Sequence, residues 1–115
     1  MKLLIILSQK PYGSDVTWNA LRLAETSLKR GDSVSIFVMN DAVDIARKGS
    51  APAGTEFDLG LMLEQLESKG CEIKLCTTCI TRCGISKGDV RQAAWPAGMG
   101  DLAGWMAGCD KVVTF

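Results

Sequence analysis

Short apolar runs alternate with helix-period segments along this chain, and that alternation constrains the fold more than any single residue does. Residues 3–7 read Leu-Leu-Ile-Ile-Leu, with no polar side chain to turn toward water. A strand of this kind has to be covered on both faces, as inside a parallel sheet. The run is far too short to span a bilayer, which takes about 20 apolar residues, or to form the apolar core of a signal peptide.

The remaining segments extend the pattern. Residues 2–8 form the first strand, and a turn-rich stretch over 9–14 follows. Ser14 or Asp15 can cap a helix whose apolar positions are Val16, Ala20, Leu23, Ala24 and Leu28. Lys29 and Arg30 suit its C-terminal dipole, and Gly31 stops it. Residues 33–39 make a second strand, with Val34, Ile36 and Val38 on one face and Phe37 on the other. A short helix over 42–48 and a Gly/Ala/Ser/Pro loop over 49–55 lead to Asp58, which caps the next helix. Leu59, Met62, Leu63 and Leu66 are that helix's buried stripe, and Gly70 ends it. A third strand spans 71–76, a two-turn helix 77–83 stopped by Gly84, and a fourth strand 90–95 ended by Pro96. Leu102, Trp105, Met106 and Cys109 share one helical face, and 111–115 form the last strand. Strand–helix repetition of this sort predicts an α/β fold, a parallel sheet with helices on both faces joined by right-handed crossovers. Loop 49–55 is too short to divide the chain, so residues 1–115 are expected to form one domain.

Composition then narrows the chemistry. The chain has five cysteines and no histidine, which removes Ser-His and Cys-His dyads, histidine bases and histidine metal ligands. Thirteen basic and thirteen acidic side chains cancel, leaving no electrostatic footprint for direct binding of nucleic acid. At 115 residues the chain buries a core without disulfide staples. With no export signal and no membrane span, the expected compartment is the cytoplasm, where thiols stay reduced. Clustered cysteines there point to catalysis or metal binding rather than to structural disulfides.

The cluster is Cys76-Thr77-Thr78-Cys79-Ile80-Thr81-Arg82-Cys83-Gly84. Reactive groups in an open parallel sheet lie beyond the carboxyl ends of the strands, where Cys76 falls. As the N-cap of the following helix, its sulfur would face the N–H groups of Thr78 and Cys79, an environment that lowers a thiol pKa. A thiolate is the form that attacks sulfane sulfur or a disulfide. Cys76, Cys79 and Cys83 follow i, i+3, i+7 spacing and share one side of a helix. They read as a nucleophile with resolving partners, or as part of a metal site. For Cys79 and Cys83 the same spacing is also an ordinary core stripe. Cys109 reads as core, and Cys71 receives no role. Arg82 sits six residues beyond Cys76, roughly 9 Å along the axis and on another face, so it meets a substrate, a partner chain or helix carbonyls rather than Cys76. Lys10 and Tyr12 follow the first strand, and Asn40 and Asp41 the second. They lie on the carboxyl edge and can line the same crevice, although each also reads as a turn or cap residue.

Three stretches together resemble the DsrE/DsrF-like family. They are Tyr12-Gly13-Ser14-Asp15 leading into Asn19–Ala24, the second strand followed by Asn40-Asp41-Ala42-Val43, and Cys76 with Arg82, Gly84 and Ile85 before the 98–115 ending. The resemblance implies a three-layer α/β/α sandwich with a mostly parallel five-stranded sheet. It implies homo-oligomers, often trimers or hexamers; separately, no cofactor is expected. In the sulfur-relay members a cysteine matching Cys76 accepts persulfide sulfur from a donor protein and passes it to an acceptor protein's cysteine. The simplest family pattern has one cysteine followed by an Arg-Gly pair; here Cys79 is additional and Cys83 stands between Arg82 and Gly84. Three chemistries follow: sulfur relay on Cys76, dithiol redox at Cys76 and Cys79, or a zinc or iron–sulfur site on Cys76, Cys79 and Cys83. Against the dithiol reading, Cys76-Thr77-Thr78-Cys79 follows the third strand rather than the first, unlike thioredoxin-like proteins. Three thiolates also fall one short of a closed metal site.

Overall fold

A computed structural model describes residues 1–91 and 95–115. The strands are β1 (Lys2–Leu7), β2 (Ser33–Val38), β3 (Glu72–Cys76), β4 (Pro96–Ala97) and β5 (Lys111–Thr114). The helices are α1 (Val16–Lys29), α2 (Leu59–Ser68), α3 (Thr77–Arg82) and α4 (Met99–Gly108), with a 3-10 helix over Asn40–Ala46. All pairings in the five-stranded sheet are parallel, in the order β4-β3-β2-β1-β5. β1 lies inside the sheet, and Leu4, Ile5 and Leu7 are completely buried, as their unbroken apolar run requires.

The strand order determines the layers. From β1 to β4 the chain steps in one direction across the sheet, then returns past β1 to place β5 at the far edge. Right-handed crossovers therefore put α1 and α2 on one face and α4 on the other. The register agrees: Leu3, Val34, Ile36 and Leu75 share one face, and Leu4, Phe37 and Lys74 the other. Trp105 of α4 packs edge-on against Phe37 at 6.4 Å and under the Lys74 ammonium at 4.5 Å. The α/β sandwich expected from the alternation is the one formed.

The helix ends follow local chemistry. Asp58 accepts from the Leu61 N–H at 3.1 Å, as expected of an N-cap. At α1 the Asp15 side chain makes no cap hydrogen bond; the Ser14 hydroxyl accepts from Val16 N–H at 3.4 Å instead. The α1 stripe is rotated from expectation, because Leu21 is buried and Leu23 is exposed. A 3-10 helix over Asn40–Ala46 replaces the short helix expected at 42–48. The fourth strand is also displaced. Its expected span, 90–95, includes residues 92–94, which lie outside the described residues. Val90 makes only an isolated antiparallel bridge to Arg47, and the strand is Pro96–Ala97. Pro96 is tolerated because β4 is an edge strand that pairs only with β3.

Candidate functional site

The carboxyl edge of the sheet brings together the loop after β1, the 3-10 helix after β2 and the β3–α3 junction. Cys76 ends β3 in an extended conformation (φ −66°, ψ 109°), and α3 begins at Thr77. The Thr77 hydroxyl donates to the Ala97 carbonyl at 3.3 Å, tying this junction to β4. Gly84 takes φ 71°, and Ile85 N–H returns to the Ile80 carbonyl at 3.2 Å, closing the short helix.

The three cysteines of the cluster do not share one environment. Cys76 is 3% exposed and Cys79 6%, whereas Cys83 is exposed. α3 ends at Arg82, so Cys83 caps it at the rim instead of extending the buried stripe. Among the described residues no three cysteine or carboxylate side chains converge to hold a metal ion, so the zinc or iron–sulfur arrangement on Cys76, Cys79 and Cys83 is not assembled within one chain. All five cysteines are free thiols.

The electrostatics of Cys76 differ from expectation. Its position at a helix start predicts a low thiol pKa, yet burial pushes the thiol above its ordinary value and the adjacent Cys79 side chain adds to the rise. Backbone N–H groups of Cys79 and Thr78 pull the other way. Burial is the larger effect, and the thiol stays above its ordinary value. Cys79 has a defined donor: the Asn40 backbone N–H lies 3.2 Å from its sulfur. Asn40 has φ 52° and is the one non-glycine residue with positive φ among the described residues. Asparagine is one of the few residue types that accepts this conformation readily. Sequence reasoning selected Asn40 as a crevice residue but missed that its backbone amide is the group that meets Cys79.

The other expected site residues separate. Tyr12, Asp41 and Cys83 line one open groove of about 550 Å³ together with Lys10, Asp44 and Ser50. Tyr12 also has a structural role, since its hydroxyl accepts from Leu59 N–H at 2.9 Å and pins the loop after β1 to the start of α2. Burial raises its phenol pKa. Arg82 is exposed, does not line this groove, and makes no ion pair among the described residues. Cys109, expected in the core, is only half-buried at the C-cap of α4, its thiol donating to the Met106 carbonyl at 3.5 Å.

A model of the DsrE/DsrF-like family matches this chain over residues 1–115. The chain belongs to that family. The protein YchN of Escherichia coli (strain K12) is 35% identical over 117 residues, spanning 99% of this chain and 98% of YchN. The crystal structure of E. coli ychN protein matches this fold with a TM-score of 0.87 at 32% identity, covering 100% of this chain and 99% of that one. A relative named sulfurtransferase TusD, from Cronobacter sakazakii, is 28% identical over 128 residues and aligns along the whole of both chains. The fold that the family resemblance implied is therefore the fold observed. Among the described residues no helix is long and apolar enough to cross a membrane.

Proposed function

We propose that this protein is a sulfur-relay protein that carries sulfane sulfur on Cys76 between a donor and an acceptor protein. The observation that carries this reading is the buried Cys76–Cys79 thiol pair at the carboxyl edge of the sheet, in a chain whose family includes a protein named as a sulfurtransferase. Cys76 Sγ attacks the outer sulfur of a donor persulfide. The donor leaves as its thiol, and Cys76–S–SH remains. An acceptor thiolate then attacks that outer sulfur and restores Cys76. Sulfur and protons balance at each step, and no cofactor, oxidant or reductant is consumed. Burial shields the persulfide from water and from further oxidation.

The groove lined by Lys10, Tyr12, Asp41 and Cys83 lies on the edge that carries the pair and suits a partner's cysteine-bearing loop. Asn40 and exposed Arg82 complete the partner-facing set. Relay of this kind belongs in the cytoplasm, with residues 1–115 acting as one domain and several copies forming a trimer or hexamer. Intact-mass and peptide mass spectrometry after incubation with inorganic polysulfide tests the reading. An adduct of roughly +32 Da on Cys76, lost in Cys76→Ser, is expected. No adduct on any cysteine would overturn it.

The position of both thiols in the first turn of α3, with Cys76 as its N-cap, also favours a second reading, reversible dithiol redox at Cys76 and Cys79. A redox titration decides it: a two-electron couple abolished by Cys79→Ser supports it, and no couple eliminates it.

A further inference from the structure

A relay on Cys76 needs its sulfur to touch a thiol from outside, because thiol exchange depends on access as well as on ionisation. Cys76 is 3% exposed. It lines neither the groove that holds Cys83 nor the apolar cavity of about 430 Å³ bordered by its neighbours Leu75 and Thr77. The groups that bear on its sulfur belong to α3: the N–H groups of Thr78 and Cys79 and the Cys79 side chain. The first turn of α3 therefore stands between this sulfur and a partner.

α3 is lightly held. It has six residues, and a helix that short is not stable on its own in water. Thr77, Thr78, Thr81 and Arg82 are exposed, Ile80 is half-buried, and Cys79 is its one buried residue. The Asn40 N–H, 3.2 Å from Cys79 Sγ, ties it to the 3-10 helix on which it packs. The Thr77 hydroxyl, 3.3 Å from the Ala97 carbonyl, ties its start to β4. Beyond it the chain turns at Gly84 with φ 71°, and residues 86–89 are exposed. β3, just before it, is the opposite case: Ile73 and Leu75 are buried, and the strand pairs with both β2 and β4. An element with few buried contacts, next to a firmly packed one, is the kind that opens locally without global unfolding.

We propose that α3 is a lid over Cys76, which lifts from the 3-10 helix to admit a partner's sulfur and closes again between transfers. This rests on the sulfur-relay reading and adds how the site is opened and shut. Lifting breaks the Asn40–Cys79 and Thr77–Ala97 hydrogen bonds and withdraws Cys79 from its buried position, while β3 stays in the sheet. Cys79 is then the plug of the lid, whatever further chemistry its thiol carries out. A carrier has two opposed needs, a sealed sulfur in transit and an accessible one during exchange, and a marginal helix between them meets both. A partner that binds the open form more tightly than the closed one shifts the population toward it.

Alkylation of the full chain by iodoacetamide, mapped by peptide mass spectrometry over a series of urea concentrations below the unfolding transition, tests the lid. Cys76 and Cys79 should label together, with a rate that rises little with urea, because a local opening exposes little surface. Cys71, buried in the core, is the internal reference for global unfolding, and its labelling should rise steeply with urea. Thr77→Val removes the hydroxyl that bonds Ala97 and keeps the branched shape of an exposed side chain. It should speed Cys76 labelling about fivefold, the scale of one neutral hydrogen bond, and leave the rate at Cys71 unchanged. Labelling of Cys76 with the urea dependence of Cys71 overturns the lid, since only global unfolding would then bare the sulfur. Equal Cys76 labelling in wild type and Thr77→Val overturns it as well. Loading with inorganic polysulfide separates this from the relay reading: absence of sulfur on Cys76, with its urea-insensitive labelling intact, defeats the relay and leaves the lid standing.

Discussion

Cys71 shows how far burial alone separates one cysteine from another. It is 2% exposed in the core, and burial, with Glu72 and Glu67 nearby, pushes its thiol up to about 12. A raised folded-state pKa means that Cys71 favours the folded state fully below the unfolded thiol value, near ~8.5, and that this contribution is lost as pH rises through the folded value. Unfolding midpoints measured across alkaline pH should therefore fall more steeply for wild type than for Cys71→Ala; equal slopes would contradict this. Alkylation at neutral pH should label Cys71 only after denaturation. The sequence assigns it no role, since no other cysteine stands at useful spacing, and the structure adds that it is buried. The Asn40 amide was not legible. A backbone N–H has no letter of its own, and its partner lies 39 residues away.

At the scale of elements, α2 illustrates a residue whose reason is elsewhere in the chain. Glycine costs about 1 kcal/mol relative to alanine in a helix interior, so Gly60 looks like a defect by propensity. A Cβ there would collide with the Arg91 guanidinium and stand 2.9 Å from the Ile45 carbonyl oxygen. Arg91 in turn pairs with Asp58 at 3.4 Å and with Glu64 at 3.2 Å, so it clamps the first two turns of α2. Gly60→Ala should destabilise the fold by about 1–3 kcal/mol despite the better propensity, read as a lower urea midpoint. An unchanged or higher midpoint would show that Arg91 moves aside at no cost. The same scale explains the elements that sequence patterning misplaced. The α1 stripe selected Leu23 over Leu21 because both fit helical spacing, and only the packing of α1 on the sheet and α2 separates them. The edge strand β4 has two residues and includes a proline, so it carries almost no periodic signal.

The whole molecule has one unevenly covered side. α1 and α2 pack together over one face of the sheet, while α4 lies on the other. α4 reads Met-Gly-Asp-Leu-Ala-Gly-Trp-Met-Ala-Gly, and Met99, Ala103, Met106 and Ala107 are exposed on it. Val112 on the adjoining edge strand β5 is 40% exposed. A helix apolar on most sides is normally covered, and this surface is where copies of the chain should meet in the proposed oligomer. Sedimentation or light scattering should show a trimer or hexamer, and Met106→Glu should shift it toward monomer with little change in the far-UV spectrum. A wild-type chain that is monomeric at micromolar concentration would refute the assembly.

Alternation of apolar runs with helical periodicity was enough to determine the α/β class, the parallel sheet and the placing of Cys76 at a strand's carboxyl end. These depend on local spacing and on the handedness of crossovers, which act the same way in any chain with this pattern. The sequence also contained the five thiols and the absence of histidine. Which thiol is buried, which is exposed and which has a donor was decided only by the tertiary structure. Thiol ionisation depends on desolvation and on hydrogen bonds from distant backbone, and both exist only once β2, β3 and the helices between and after them are packed together.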